Sequence, residues 1–211
     1  MNVDTHLEER GIASRKEQAA ARREEIIEAA VRLFCRKGFD GTSTKEISDA
    51  VGVSEGLIFH YFSTKSDVLS AVLNTRHGFM ADLRELLMQE ADRPAAETLP
   101  KVASLWFERL RKEKAMTLIL LGTAQTDAKV GKALKHVIQS GTESLAAYLR
   151  LCISRGELRS DLPPETSAQM ILSPIIVFFI RHRDLPQTDW DRLVRGFSAD
   201  MLEVWFRGAQ A

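Results

Sequence analysis

Two helix starts in close succession, within residues 43–62, constrain the fold of this chain more than any other feature. The tetrapeptide at residues 43–46, Ser-Thr-Lys-Glu, has the form of a capping box, in which the serine and the glutamate each satisfy a free backbone N–H. Gly52 predicts the end of that helix, and Ser54 can cap the next one. The apolar and aromatic run that follows favours a strand by composition alone. No other segment supplies a partner strand, so we predict a helix there.

Helical patterns separated by short breaks account for the rest of the chain. Apolar residues recur at helical spacing over residues 22–37, which predicts a first helix after a flexible arm over residues 1–21. The later segments add further helices, so we predict an all-α fold of about nine helices in total. A small helical domain at residues 22–66 is expected to precede a larger helical domain at residues 67–211.

Composition and charge limit the possible classes of protein. The 29 basic and 29 acidic residues cancel, so DNA binding would have to depend on a few well-placed cations. Cys35 and Cys152 lie far apart without a CxxC pair, which argues against a disulfide framework or a zinc site. The longest apolar stretch, residues 168–180, is shorter than the roughly 20 residues that span a bilayer. The charged amino terminus does not resemble a signal peptide, so we expect a cytoplasmic protein with no membrane partner.

Residues 44–62 match the template of two short helices that cross almost at right angles. Gly52 can take the left-handed backbone that the turn needs, and Ser48 is small enough to let the helices approach. Such a crossing leaves the second helix free to enter a DNA major groove, although a pair of helices like this also forms ordinary helical corners. The apolar residues that would lock the crossing are Ile47, Val51, Val53 and Ile58.

A helical wheel of residues 54–65, drawn at about 100° per residue, divides this segment into two faces. Ile58 and Phe62 turn inward, and Lys65 follows near the start of a fourth helix. The opposite face would meet DNA, because a glycine there lets the backbone approach and polar side chains can reach phosphates. The residues of this predicted outward face are Gly56, Phe59, His60 and Ser63.

The same region carries a longer motif that extends over three helices and two turns. It consists of Ile26-Ile27-Glu28-Ala29-Ala30-Val31-Arg32-Leu33-Phe34, Lys37-Gly38-Phe39, Gly41-Thr42-Ser43, Glu46-Ile47-Ser48, Val51-Gly52-Val53-Ser54, Gly56, Tyr61-Phe62, Lys65 and Val68-Leu69. This motif resembles the amino-terminal signature of the TetR/AcrR family. The resemblance implies a homodimeric transcriptional repressor that binds a palindromic operator in double-stranded DNA. It also implies a carboxy-terminal domain, here residues 67–211, that dimerises and binds a small-molecule effector, which releases the DNA.

The family's DNA-contacting positions can be transferred to this chain by the same resemblance. Phe59 and the pair Ser48 and Val51 depart from the family pattern, which usually has tyrosine at the first position and alanine at the others. The missing hydroxyl removes one phosphate contact. The phosphate-contacting positions map to Thr42, Thr44, Phe59, Tyr61 and Lys65, and the base-contacting positions map to Lys45, Glu55, Gly56, Leu57 and His60.

The last two predicted helices carry more apolar residues than the core of one domain needs. Residues 171–180 are apolar on nearly every face, which implies burial against a second surface as well as the chain's own domain. The family resemblance agrees, because its last two helices typically form a four-helix bundle across a two-fold axis. We therefore predict a dimer interface that includes Ile175, Ile176, Phe179, Phe197, Met201 and Val204.

Methionine and aromatic side chains of the larger domain could line a cavity for an apolar or amphipathic effector. Ordinary core packing is the simpler explanation for each of them taken singly. The candidate lining residues are Met80, Trp106, Phe107, Leu110, Met116, Leu121 and Met170.

Nothing in the sequence indicates an enzyme. There is no phosphate-cradling glycine loop, no HExxH motif and no nucleophile with a local base signature. We therefore expect no catalytic residue, no metal site and no cofactor. Two alternatives stay open: a DNA-binding protein of this fold that organises chromosomes or contacts protein partners, and a helical enzyme with dispersed catalytic residues.

Overall fold

Helices make up the fold, which confirms the predicted all-α class. The computed structural model describes the backbone of residues 3–75 and 78–209, and the side chains of residues 16–73 and 80–209. Within these ranges there are ten α-helices. They are α1 (Val3–Lys37), α2 (Thr44–Val51), α3 (Glu55–Tyr61), α4 (Lys65–Thr75), α5 (Gly78–Gln89), α6 (Ala95–Lys112), α7 (Lys114–Thr123), α8 (Ala128–Ser154), α9 (Pro164–His182) and α10 (Gln187–Ala209).

Two differences from the predicted helices have local causes. Helix α1 begins at Val3, whereas we expected a flexible arm over residues 1–21. The exposed residues 16–21 are strong helix formers, so they continue a helix without an apolar face. The count rises from nine to ten partly because α6 and α7 are separated only by Glu113, where neither glycine nor proline marks a helix end in the sequence.

The chain divides into two compact units, and the division is not a single cut in the sequence. The first unit runs to Thr75 and also takes in Leu118–Ala133, whereas the second consists of Arg76–Thr117 and Leu134–Ala211. The whole of α4 therefore lies in the first unit, beyond the boundary expected at residue 66. The reason is that α4 packs on α1 and buries Val68, Leu69 and Val72 there.

Each unit has its own apolar core. In the first, one apolar side of α1 packs against α2 and α4, and α2 packs against α3. In the second, α6 packs against α5, α9 and α10, and a cluster of aromatic rings joins α6 to α9 and α10. None of the described helices is both long and apolar enough to cross a membrane. The largest fully buried side chains include Ile26, Ile27, Phe34, Ile47 and Ile58 in the first unit, and Leu83, Leu99, Phe107, Leu145, Leu149 and Phe179 in the second.

Candidate nucleic-acid interface

The start of helix α2 is capped as the sequence predicts. The Glu46 backbone N–H donates to Ser43 Oγ at 3.2 Å, and the Ser43 backbone N–H donates to Glu46 Oε2 at 2.9 Å, which completes the capping box. Helix α2 ends at Gly52, whose φ of 76° lies in the left-handed region that favours glycine. Ser54 then caps α3 by accepting from the Leu57 backbone N–H at 3.3 Å. Both helices of the pair are therefore set by local hydrogen bonds.

Lys37, which the sequence analysis did not single out, joins the end of α1 to the cap of α2. Its Nζ lies 2.5 Å from Glu46 Oε1. This hydrogen bond, together with those from Ser43, lowers the pKa of Glu46 from 4.5 to about 2. The contact between Lys37 and Glu46 could have been anticipated from the capping box, because the second carboxylate oxygen of its glutamate can accept from another donor.

We expect the cap of α2 to contribute a pH-dependent part of the stability. Because the pKa of Glu46 is lower in the folded protein, its stabilising effect is complete above about pH 4.5 and is lost as the pH falls through about 2. Urea midpoints of the wild type and Glu46→Gln should therefore differ at pH 7 and converge in acid. Glu24→Gln, at an exposed position on α1, is the matched control. A Glu46→Gln difference that stays constant down to pH 2 would contradict this role.

Helices α2 and α3 are fixed to each other by both apolar and polar contacts. Ile47 and Ile58 are fully buried, and Ser48 is buried, which fits its predicted role of allowing close approach. Across the pair, Thr44 Oγ1 donates to Glu55 Oε1 at 2.6 Å. The crossing of the two helices is therefore held at the first turn of both.

The outward face of α3 lies where the helical wheel predicts it. Gly56, His60 and Ser63 are exposed, and the Phe59 side chain is 50% exposed. Lys45 is exposed on the neighbouring α2.

Three further predicted contact residues, Glu55, Leu57 and Tyr61, are half-buried. The His60 and Tyr61 rings meet edge to face, with centroids 5.3 Å apart.

Two of the transferred phosphate contacts have inward partners. Thr42 is buried, and its Oγ1 donates to the Gly38 carbonyl at 2.9 Å, so the hydroxyl does not face outward. A threonine can return a hydrogen bond to a carbonyl four residues back, and family position alone does not show this. Lys65 Nζ likewise donates to the Phe39 carbonyl at 2.7 Å and to the Thr42 carbonyl at 2.8 Å.

The turn before α8 docks on the start of α4 within the first unit, a connection that sequence reasoning missed. Asp127 caps α8 by accepting from the backbone N–H of Lys129 and of Val130, at 2.9 and 3.1 Å, and it also accepts from Ser66 Oγ. Lys129 Nζ lies 2.8 and 3.0 Å from the two carboxylate oxygens of Asp67. The bond from Ser66 lowers the pKa of Asp127, and the bond from Lys129 lowers that of Asp67.

The predicted ligand-lining residues do not form one group. Met170 is 59% exposed on α9, and Leu121 belongs to the first unit. Phe107 is buried against three other rings, of Phe178, Trp190 and Phe197, at centroid distances of 5.2 to 6.2 Å. Phe107 is therefore part of the packed core. The others divide between Met80, Leu110 and Met116, which are buried, and Trp106, which is half-buried.

A surface groove of about 460 Å³ lies between α5 and α6. Its lining includes Leu86, Leu105 and Pro100, with the carboxylates of Glu85 and Glu108 beside them. None of the predicted lining residues contributes to it. The groove is open to solvent and is lined by charged as well as apolar side chains.

The predicted dimer residues divide by exposure. Ile175 and Phe179 are fully buried within the protomer, so neither side chain offers surface to a partner. Ile176, Phe197 and Met201 are half-buried, and Val204 is 73% exposed. The sequence could not divide residues 171–180 correctly, because they are apolar on nearly every face and only packing decides which side turns outward. The large apolar residues that α9 and α10 expose are Met170, Val177, Ile180, Leu193 and Val204.

The capped helices α2 and α3, joined at a left-handed glycine with the second helix exposed, define a helix-turn-helix, the motif of a large class of DNA-binding proteins. Two sequence models narrow the class. The one described as "Bacterial regulatory proteins, tetR family" matches residues 26–72, and the one described as "Tetracyclin repressor-like, C-terminal domain" matches residues 95–196. The chain belongs to the TetR family: it is a transcriptional regulator with a DNA-binding amino-terminal domain and a ligand-binding carboxy-terminal domain, and it is not an enzyme.

Individual relatives agree with this assignment. The Fatty acid metabolism regulator protein of Bacillus subtilis is 26% identical over 153 residues, which cover 72% of this chain and 78% of that protein. A TetR-family regulator from Mesorhizobium loti has a similar fold, with a TM-score of 0.77, 20% identity and coverage of 91% of this chain and 98% of the other. The regulator FadR from Bacillus subtilis, solved in complex with stearoyl-CoA, superposes with a TM-score of 0.69, 21% identity and coverage of 88% and 98%.

Proposed function

We propose that this protein is a cytoplasmic, homodimeric repressor that binds a palindromic operator and is released by an apolar or amphipathic small molecule. The observation that carries the proposal is the exposed face of α3, where a large aromatic side chain, Phe59, stays half in solvent beside Gly56 and His60. In a helix-turn-helix, the exposed face of the second helix is the one that enters the major groove of DNA.

The proposed DNA contacts follow from exposure. Lys45 and His60 offer hydrogen-bond donors to bases or phosphates, and Phe59 can touch a sugar or a thymine methyl group. The bare backbone at Gly56 lets α3 approach the duplex closely. Thr44 and Glu55 hold each other by a hydrogen bond, so DNA must meet them as a fixed pair.

The proposed dimer uses the apolar surface of α9 and α10. On α9 the exposed Met170, Val177 and Ile180 follow helical spacing and form one stripe. On α10 the half-buried Phe197 and Met201, four residues apart, lie on one side of the helix and form a second stripe. A two-fold axis through this surface would present two copies of α3 to DNA, about one helical turn or a multiple of about 34 Å apart.

The proposed effector acts in the second unit, and the chain itself provides a route to the first. Helices α7 and α8 each continue from one unit into the other, because Leu118–Ala133 belongs to the first unit. A ligand that shifts the part of either helix in the second unit would therefore pull on the turn that Asp127 and Lys129 attach to α4. The relatives named for fatty acid metabolism make a long acyl chain the first class of effector to test.

The experiment that tests the DNA-binding proposal is selection from a randomised duplex library on the wild-type protein. We expect an enriched palindrome, bound with a stoichiometry of at least two chains per duplex and with a clear preference over random competitor DNA. Enrichment of asymmetric sites would contradict binding of a palindrome by a dimer. No enrichment at all would contradict the proposed operator-binding function.

The effector is tested on the same selected duplex with stearoyl-CoA as the probe. We expect it to raise the melting temperature of the free protein and to release the duplex, because a ligand that binds one state better shifts the population toward it. Coenzyme A without the acyl chain is the control. Stabilisation without release would show a ligand that does not regulate DNA binding.

A further inference from the structure

Lys65 is the first residue of α4 and follows directly after the helix-turn-helix, yet its side chain returns to the turn before α2. Its Nζ is 2.7 Å from the Phe39 carbonyl oxygen, 2.8 Å from the Thr42 carbonyl oxygen and 4.3 Å from the centre of the Phe39 ring. An ammonium group has three N–H donors, and two of them are occupied here by backbone carbonyls. The ring face takes part of the remaining charge.

The turn that Lys65 holds has little freedom. A Cβ atom added at Gly41 would lie 2.4 Å from the Lys37 carbonyl oxygen, so only glycine fits at this point of the turn. Thr42 is buried, and its hydroxyl is bonded to the Gly38 carbonyl. The next residue is Ser43, the cap of α2. Whatever fixes this turn therefore fixes the start of α2.

Lys65 thus connects the two ends of the helix-turn-helix. It follows the end of α3 by a short link through Phe62, and it binds the turn that precedes α2. We propose that Lys65 is a positioning residue: it sets the orientation of α2 and α3 for DNA, and it does not neutralise a phosphate. This inference rests on the proposed DNA-binding function, and it differs from the phosphate contact that the family position suggests.

The two roles predict different salt dependences. A phosphate contact contributes about 0.9 to the slope of log K against log salt for each bound chain, so its loss would lower the slope by that amount. A positioning residue changes affinity at every salt concentration and leaves the slope unchanged, because the number of neutralised phosphates stays the same. The slope therefore separates a phosphate contact, whose loss lowers it, from positioning, whose loss leaves it unchanged.

The test uses the full chain and the duplex selected on the wild-type protein, with affinities measured across a range of salt concentrations. We expect Lys65→Met to weaken binding about tenfold at each salt concentration with an unchanged slope. Lys45→Met, which removes an exposed cation from α2, is the matched control and should lower the slope by about 0.9 per chain. A lower slope for Lys65→Met, or unchanged affinity, overturns the proposal.

A second variant keeps the test valid if Lys65→Met is poorly folded. Phe39→Leu removes the ring beneath the ammonium and leaves the lysine charge in place. Positioning predicts weaker binding with an unchanged slope for Phe39→Leu as well, whereas a phosphate role predicts no loss. Circular dichroism of both variants checks that the helices are intact. If the wild type itself selects no duplex, the DNA-binding function fails, and that result is distinct from a change of slope.

Discussion

A chain carrying both Val177→Asp and Val204→Asp should be a monomer by light scattering and should lose specific binding to a palindromic duplex. Val177 is 66% exposed on α9 and Val204 is 73% exposed on α10, so neither substitution disturbs the core of the protomer. Across a two-fold interface every change occurs twice, which places four carboxylates in the contact. Each unpaired buried charge costs several kcal/mol, so dimerisation should weaken by more than about a thousandfold.

The control for the dimer experiment is Met88→Asp. Met88 is at least as exposed as Val177 but lies on α5, away from the proposed interface. This variant should stay dimeric and keep its DNA affinity, because its one added carboxylate per chain lies on a surface that stays in water. If the double variant remains a dimer, the interface does not depend on this surface of α9 and α10. If both variants are monomeric, added charge alone is responsible and the assignment of α9 and α10 fails.

Truncating two phenylalanines should have opposite consequences, because one is buried and the other faces solvent. Phe107→Ala removes a ring that is fully buried against Phe178, Trp190 and Phe197 in the second unit. Such a cavity typically costs about 3–5 kcal/mol, which lowers the melting temperature by roughly 6 to 20 °C in a protein of this size. Calorimetry of the free protein measures this fall in the melting temperature. A loss below about 1 kcal/mol would show that the site collapses or was never closely packed.

Phe59→Ala is the matched case on the DNA face. Its side chain is half exposed, so we expect the melting temperature to stay within about 2 °C of the wild type. Affinity for the selected duplex should instead fall about fivefold, because α3 loses an apolar contact with the groove wall. Phe107→Ala should bind DNA normally at temperatures where it remains folded. A Phe59→Ala chain that is strongly destabilised, or that binds DNA as the wild type does, would contradict the assignment of this face.

The helix-turn-helix could be predicted well because its determinants are local. The capping box joins Ser43 to Glu46, three residues apart, and the left-handed turn needs only Gly52. Helical periodicity then places Ile58 inward and Phe59 outward, as the structure confirms. In the second unit the same periodicity was insufficient, because residues 171–180 of α9 are apolar on nearly every face and Ile175 and Val177 look alike in sequence.

The sequence by itself determined the all-helical class, the caps and turn of the helix-turn-helix and the outward face of α3. Each depends on hydrogen bonds or side-chain spacing within one or two helical turns. Only the tertiary structure decided that Lys65 returns to the carbonyls of Phe39 and Thr42, that Leu118–Ala133 joins the first unit, and that Val177 turns outward while Phe179 is buried. These outcomes depend on which distant surfaces meet, and residue type constrains such long-range packing only weakly.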